Sequence, residues 1–127
     1  MIDEAIATKV MGWIRETLPN NEEGLPYTAD YWTENGEKQV PTNFFNPSTN
    51  LEDAWKVAEK LGLALIPQSN DDGSFSWFAC DIEKVSYRGE EIAITPIDGT
   101  EYSQPTAQLA ICASALMTVG IDIEDVI

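Results

Sequence analysis

An α+β fold, with a small antiparallel sheet of three to four strands packed with helices, is what this sequence predicts. Three observations lead there. The segment "NPSTNLEDAWKVAEKLG", Asn46 to Gly62, has helical periodicity and its own start and stop signals. From Leu63 to Ile97 the chain breaks into short β-rich runs separated by turn residues. "PTAQLAICASALMTVG" then returns to helical spacing. At 127 residues, 43% of them hydrophobic and four of them Trp, the chain is sized for a single domain, 1–127, with a real core. Residues 1–50 read as an N-terminal helix plus a pinned aromatic loop, and 51–127 as a helix–strands–helix core.

The first helix is predicted from Ile2 to about Thr17. Ile2, Ile6, Val10, Trp13 and Ile14 recur at helical spacing, and Asp3 and Glu4 occupy the first turn, where the dipole favours acids. Leu18-Pro19-Asn20-Asn21 ends it. Between Pro19 and Asn50 no period persists, yet Tyr27, Tyr31, Trp32, Phe44 and Phe45 need cover, so the loop is expected to be pinned to the domain. Within it, "YWTENGEKQVP" reads as a hairpin turning at Asn35-Gly36.

The next helix has Thr49 as N-cap, Glu52 closing a capping box and Gly62 as a left-handed stop. Leu51, Ala54, Trp55, Ala58 and Leu61 form its expected buried stripe. "LALIP" and "FSWFACDI" follow as strands around a turn at Asp72-Gly73, the second with apolar residues on both faces and hence central. "KVSYR" and "EIAITPI" pair across Arg88-Gly89-Glu90, with Pro96 marking an edge or an early end and Gly99 closing the run. The last helix is expected from about Gln104 to Val119, capped near Ser103 or Gln104 and stopped by Gly120. Its surface is nearly free of charge, so it is either packed on several sides or part of an interface. The tail "IDIEDVI" either pairs as a strand or docks its isoleucines. Expected core anchors are Trp13, Leu51, Trp55, Leu61, Trp77, Leu109, Cys112 and Leu116.

Charge is the dominant functional signal. Twenty-two acids against seven bases give −15, of which −5 falls in residues 1–50 and −10 in 51–127. That field disfavours direct binding to nucleic-acid phosphate or to an anionic membrane, and favours a basic partner. The plainer reading is that the acids only keep a small protein soluble. With no histidine, the commonest general base and zinc ligand are missing. Cys80 and Cys112 stand alone, without a CxxC, and read as small buried apolar residues. "SNDDGS" loosely resembles a calcium loop but lacks its spacing, and "DIED" is at most a weak cation site. Asp81 with Glu83, or Glu90 with Glu91, bring carboxylates near each other without a nucleophile or phosphate loop to serve. No catalytic residue, metal or cofactor is therefore expected. The acidic start and the lack of an apolar span lead to an expected cytoplasmic location.

"KVMGW", "FNPSTNLEDAWKVAEKL" and "TAQLAICASALMTVG", in that order, resemble the small phage and prophage proteins that carry the phage ABA-sandwich domain. The resemblance spans nearly the whole chain. It implies a phage or prophage product in a bacterial host cytoplasm, with a sheet sandwiched between helices, and it carries no activity. "CASAL" departs from the family's usual "CLAAL" or "CRAAL", and the strand region is more acidic than the pattern. In that setting Asp71, Asp72, Asp81, Glu83, Glu90, Glu91, Asp98 and Glu101 are the candidate partner-binding acids. They would imitate the charge row of duplex DNA, one charge per roughly 1.7 Å of axis, and occupy a basic channel in a host nuclease or other defence protein, such as a CRISPR effector. The alternatives are a self-associating structural or regulatory module, suggested by the charge-poor last helix and the aromatic loop, and a sponge for a nucleotide signal using Lys84 and Arg88.

Overall fold

The structure is a computed structural model that describes residues 1–20, 27–81, 85–88, 91–94 and 104–127. At Asn20, Tyr27, Phe78, Cys80 and Asp81, and throughout 85–88 and 91–94, it describes the backbone alone. The architecture is α+β with small antiparallel sheets, as the sequence predicts. Among the described residues no helix is long and apolar enough to cross a membrane.

The N-terminal helix is shorter than its periodicity suggests. Helix α1, Ile2–Ala5, widens into π-type turns over Ile6–Val10, with Met11 N–H donating to the Ile6 carbonyl at 2.9 Å. Gly12 then takes φ +73°, which a residue with a Cβ adopts only under strain, and Trp13 N–H closes onto the Ala7 carbonyl. Beyond it, Ile14–Asn20 is not helical but strand β1, paired antiparallel with β2, Tyr27–Glu34. The glycine is the signal that the helical reading passed over, and the β-branched Ile14 and Thr17 suit the strand. What reads as an aromatic loop is therefore mostly a three-stranded sheet, β1–β2–β3, with β3 at Glu37–Pro41. The expected turn at Asn35-Gly36 joins β2 to β3, with φ of +52° and +81°, the pair of positive values that such hairpins need. Trp32 and Phe45 are buried and pin the segment, whereas Phe44 is left exposed.

Helix α2, Leu51–Leu61, starts one residue later than expected. Asn50 is the N-cap, its side-chain oxygen accepting from Asp53 N–H at 3.0 Å, so the Thr49–Glu52 capping box does not form. Gly62 ends it at φ +68°, as expected. The buried face is also turned: Asp53, Ala54, Val57 and Ala58 face inward, while Leu51 and Trp55 are 50% and 47% exposed. Two causes act together. The Asp53 carboxylate is drawn in as acceptor for Asn46 N–H at 2.9 Å, and the small Ala54, Val57 and Ala58 let α2 pack against α3. Leu51 and Trp55 are thus not core anchors. Trp13, Cys112 and Leu116 are buried, and Leu61 and Leu109 pack against the core while partly exposed. Trp77 is half-buried.

Strands β4, Leu63–Ser69, and β5, Phe75–Asp81, form a hairpin over the Asn70–Ser74 turn. On its other edge β5 bonds the segment before α3, Trp77 and Gln104 exchanging N–H···O bonds of 2.8 and 2.7 Å. Gln104 is therefore a bridge residue and not a cap; Thr106 caps α3, Ala107–Thr118, accepting from Leu109 N–H at 3.1 Å. Strands β6, Val85–Arg88, and β7, Glu91–Ile94, make the second expected hairpin. The positions of Pro96 and Gly99 lie outside the described residues.

The charge-poor last helix has a plain explanation. Residues Ala110 through Leu116 are all buried, because α3 packs against α2, the Ile6–Val10 turns, β4, β5 and a short C-terminal turn, Ile123–Asp125. That turn docks Ile123, and Ile121 packs beside the core while Ile127 is exposed, so the tail docks two of its isoleucines and forms no strand.

The three quoted motifs meet in this core. Trp13 of "KVMGW" packs on Phe45 with ring centroids 4.8 Å apart and planes tilted by 60°. Asp3 reaches across to Ser48, accepting from its N–H at 2.7 Å and its hydroxyl at 3.0 Å. Pro47 is fully buried, and Gln108 of α3 donates to the Thr49 carbonyl at 3.5 Å.

Candidate functional surface

An exposed acid is a site only if no base neutralises it nearby. Among the described residues Asp53 is the one buried acid, and the one ion pair is Lys56 with that same Asp53, at 3.7 Å. Other bases are engaged elsewhere. Arg15 lies over the Trp32 ring at 5.2 Å, and Lys38 lies over Tyr31 at 4.5 Å while donating to the Pro19 carbonyl at 2.9 Å. Arg15 and Lys38 are thus held on aromatic faces and backbone, and among the described residues Lys56 with Asp53 is the one base paired with an acid.

The eight candidate acids do not assemble into one described cluster. Asp71 and Asp72 are exposed at the tip of the β4–β5 hairpin. Asp81 closes β5 at the opposite end, the Cα partner of Leu63. At about 3.3 Å per residue the strand between them spans ~20 Å. Glu91 opens β7, the Cα partner of Arg88. Glu83, Glu90, Asp98 and Glu101 lie outside the described residues, as does Lys84 of the nucleotide-sponge reading.

Asp72 has work of its own in the turn. The Ser74 hydroxyl and then Ser74 N–H, the latter at 2.9 Å, donate to its carboxylate and hold its pKa below the ordinary value. Asn70 receives Gly73 N–H on its carbonyl, and Gly73 sits at φ +86°. Asp71 is free of these duties, so it is the acid at this tip that a partner can use without cost to the turn.

Sequence reasoning missed a second surface feature, the outer face of α2. Leu51, Glu52, Trp55 and Lys56 line a shallow, mostly apolar groove of about 420 Å³. Reading Leu51 and Trp55 as core hid it; the inward pull of Asp53, three residues after the Asn50 cap, was the available signal. Cys112 offers no chemistry. It is fully buried, and burial, with the Asp3 carboxylate adding to it, pushes its thiol up to about 12. The Cys80 side chain lies outside the described residues.

The family model described as the Phage ABA sandwich domain matches residues 4–116, all but three residues at the start and eleven at the end. The chain belongs to this family. A crystal structure of a phage protein from Bacillus cereus ATCC 14579 is 21% identical to this phage ABA-sandwich chain, covers 95% of it and 86% of its own length, and has a TM-score of 0.46. No curated protein sequence matches the chain. Within this phage ABA-sandwich domain several residues of the family-like motifs are tied up in packing, while Leu51 and Trp55 of the same motifs stay half exposed. Trp13, Phe45, Pro47, Ser48 and Asp53 hold the elements together, and none of them presents a reactive group to solvent.

Proposed function

We propose that this phage ABA-sandwich protein is a non-enzymatic accessory protein that binds a basic host protein handling nucleic acid, and inhibits it by taking the place of nucleic acid. The observation that supports this most is the excess of acid, −15 over 127 residues, with Arg15 and Lys38 drawn to aromatic rings and backbone and only Lys56 paired with an acid among the described residues. Such a field speeds the encounter with a positively charged channel and repels nucleic acid itself. Membership in a phage family makes a host defence nuclease, a CRISPR effector among them, the natural target class. The extended placement of the acids, at both ends of the β4–β5 hairpin and on β7, suits a long groove better than a small pocket.

The test is a triple variant, Asp71→Lys, Glu90→Lys and Glu91→Lys. Asp72 is spared because it holds its turn. Binding to a host protein first captured from lysate on the unaltered chain, measured by calorimetry, is expected to weaken at least tenfold while the circular dichroism spectrum stays unchanged. Equal binding by the variant contradicts an electrostatic mechanism.

A further inference from the structure

We infer that Asn35-Gly36, in the β2–β3 turn, is a site of self-modification. The Asn35 side-chain amide is lost to attack by the Gly36 backbone nitrogen, and a repulsive pair of glutamates at the foot of the turn sets how readily this happens. The pair is the one Asn-Gly in the chain. Both residues are exposed, with Asn35 in left-handed backbone at φ +52°. A Cβ built on Gly36 would meet nothing within 4 Å, so the approach to its nitrogen is open. Among the described residues the Gly36 N–H, the attacking group, bonds to no carbonyl.

The step balances with water as co-reactant. Gly36 N loses its proton and bonds to Asn35 Cγ, while the Cγ–Nδ2 bond breaks and the nitrogen leaves with that proton as ammonia. The cyclic imide so formed adds water at either carbonyl and opens to aspartate or isoaspartate. Ring closure turns the Asn35–Gly36 peptide plane away from its orientation in the hairpin, so the tip opens first. The structure makes that opening easy. Glu34 and Glu37 are Cα partners, both exposed, and like charges set directly opposite destabilise a strand pair. Lys38, the neighbouring base, is held away over Tyr31 and on the Pro19 carbonyl. The register shifts between Trp32 and Thr33, so beyond that irregularity only Thr33–Lys38 and Glu34–Glu37 close the tip. Such a short ladder, repulsive at its last rung, opens locally without unfolding the sheet. Modification makes the opening lasting. Either product adds a negative charge between the two glutamates, and isoaspartate lengthens the main chain by a methylene that the tight turn does not accommodate.

Incubation of the full chain at physiological temperature and pH, followed by peptide mapping with mass spectrometry, tests this. The peptide holding Asn35 is expected to gain the mass difference between an amide and an acid before any other asparagine peptide does, and to split into aspartate and isoaspartate forms. Glu37→Lys, which puts attraction in place of repulsion across the turn, is expected to slow conversion about three- to fivefold. Raising salt from about 50 to about 500 mM is expected to slow the unaltered chain and quicken Glu37→Lys, since screening removes repulsion in one and attraction in the other. Asn35→Gln is expected to leave the peptide unconverted, because its longer side chain closes a larger and less favourable ring. No conversion, or conversion of another asparagine ahead of Asn35, overturns the proposal. So does a Glu37→Lys chain that converts as fast as the unaltered one.

Discussion

Phe45→Ala lowers the unfolding free energy by about 3–5 kcal/mol, the range for deleting a large buried aromatic side chain. Phe45 is the largest of the fully buried side chains among the described residues, and it joins segments that sequence order keeps apart. Its ring rests on Trp13, and it belongs to the same core cluster as Trp32 of β2 and Val57 of α2. Truncation leaves a cavity lined by rigid neighbours, so the loss exceeds simple transfer of the ring to water. Trp55→Ala is the matched control. It removes a larger ring from a half-exposed position, and the cost is about 1 kcal/mol or less. Chemical denaturation of the two variants measures the difference. Equal losses would mean that Trp55 is an anchor after all and that α2 is turned the other way.

Ser114→Asp abolishes folding. Ser114 is fully buried on α3 and donates its hydroxyl proton to the Ala79 carbonyl of β5 at 3.0 Å, a polar tie between the helix and the strand. Aspartate has no proton to give when ionised, so its charge would face a carbonyl dipole in the core with no base beside it among the described residues. An unpaired buried charge costs several kcal/mol, a large share of the ~5–15 kcal/mol that stabilises a typical domain. Ser114→Ala, which only leaves the Ala79 carbonyl without its donor, costs about 1–3 kcal/mol. Circular dichroism of the aspartate variant, together with a melting curve of the alanine variant, checks both. A folded aspartate variant would show that α3 is more open to solvent than its neighbours allow.

Local chemistry made much of this fold legible. Gly62, Gly120, Asn35-Gly36 and Asp72-Gly73 are stops and turns in the structure as in the sequence, because left-handed backbone selects those residues. Periodicity was less reliable wherever a polar tie competed with it. Ile2 to Ile14 keeps a helical rhythm, yet Gly12 breaks the helix, and pairing with β2 takes Ile14 into a strand, 63% exposed. On α2 the rhythm fits Leu51 and Trp55 as well as it fits Val57. The Asn50 cap and the inward Asp53 carboxylate decide between them, local polar ties that hydrophobic periodicity alone does not register. The charge-poor face of α3 posed a choice between burial and interface, and packing by five neighbouring elements answers it. The acidic candidates were legible as a composition. Their arrangement was not, since strand register and hairpin ends set the distance between Asp71 and Asp81.

These results divide the chain by task. Residues of the motifs such as Trp13, Phe45 and Leu116 build the core, and the proposed binding falls to the acidic surface. The most direct test is the affinity for the captured host protein across a salt series, with duplex DNA as competitor. The account predicts affinity falling on the order of a hundredfold between about 50 and about 300 mM salt as the attraction is screened, with DNA displacing the protein. Affinity indifferent to salt, with DNA bound alongside, would contradict it.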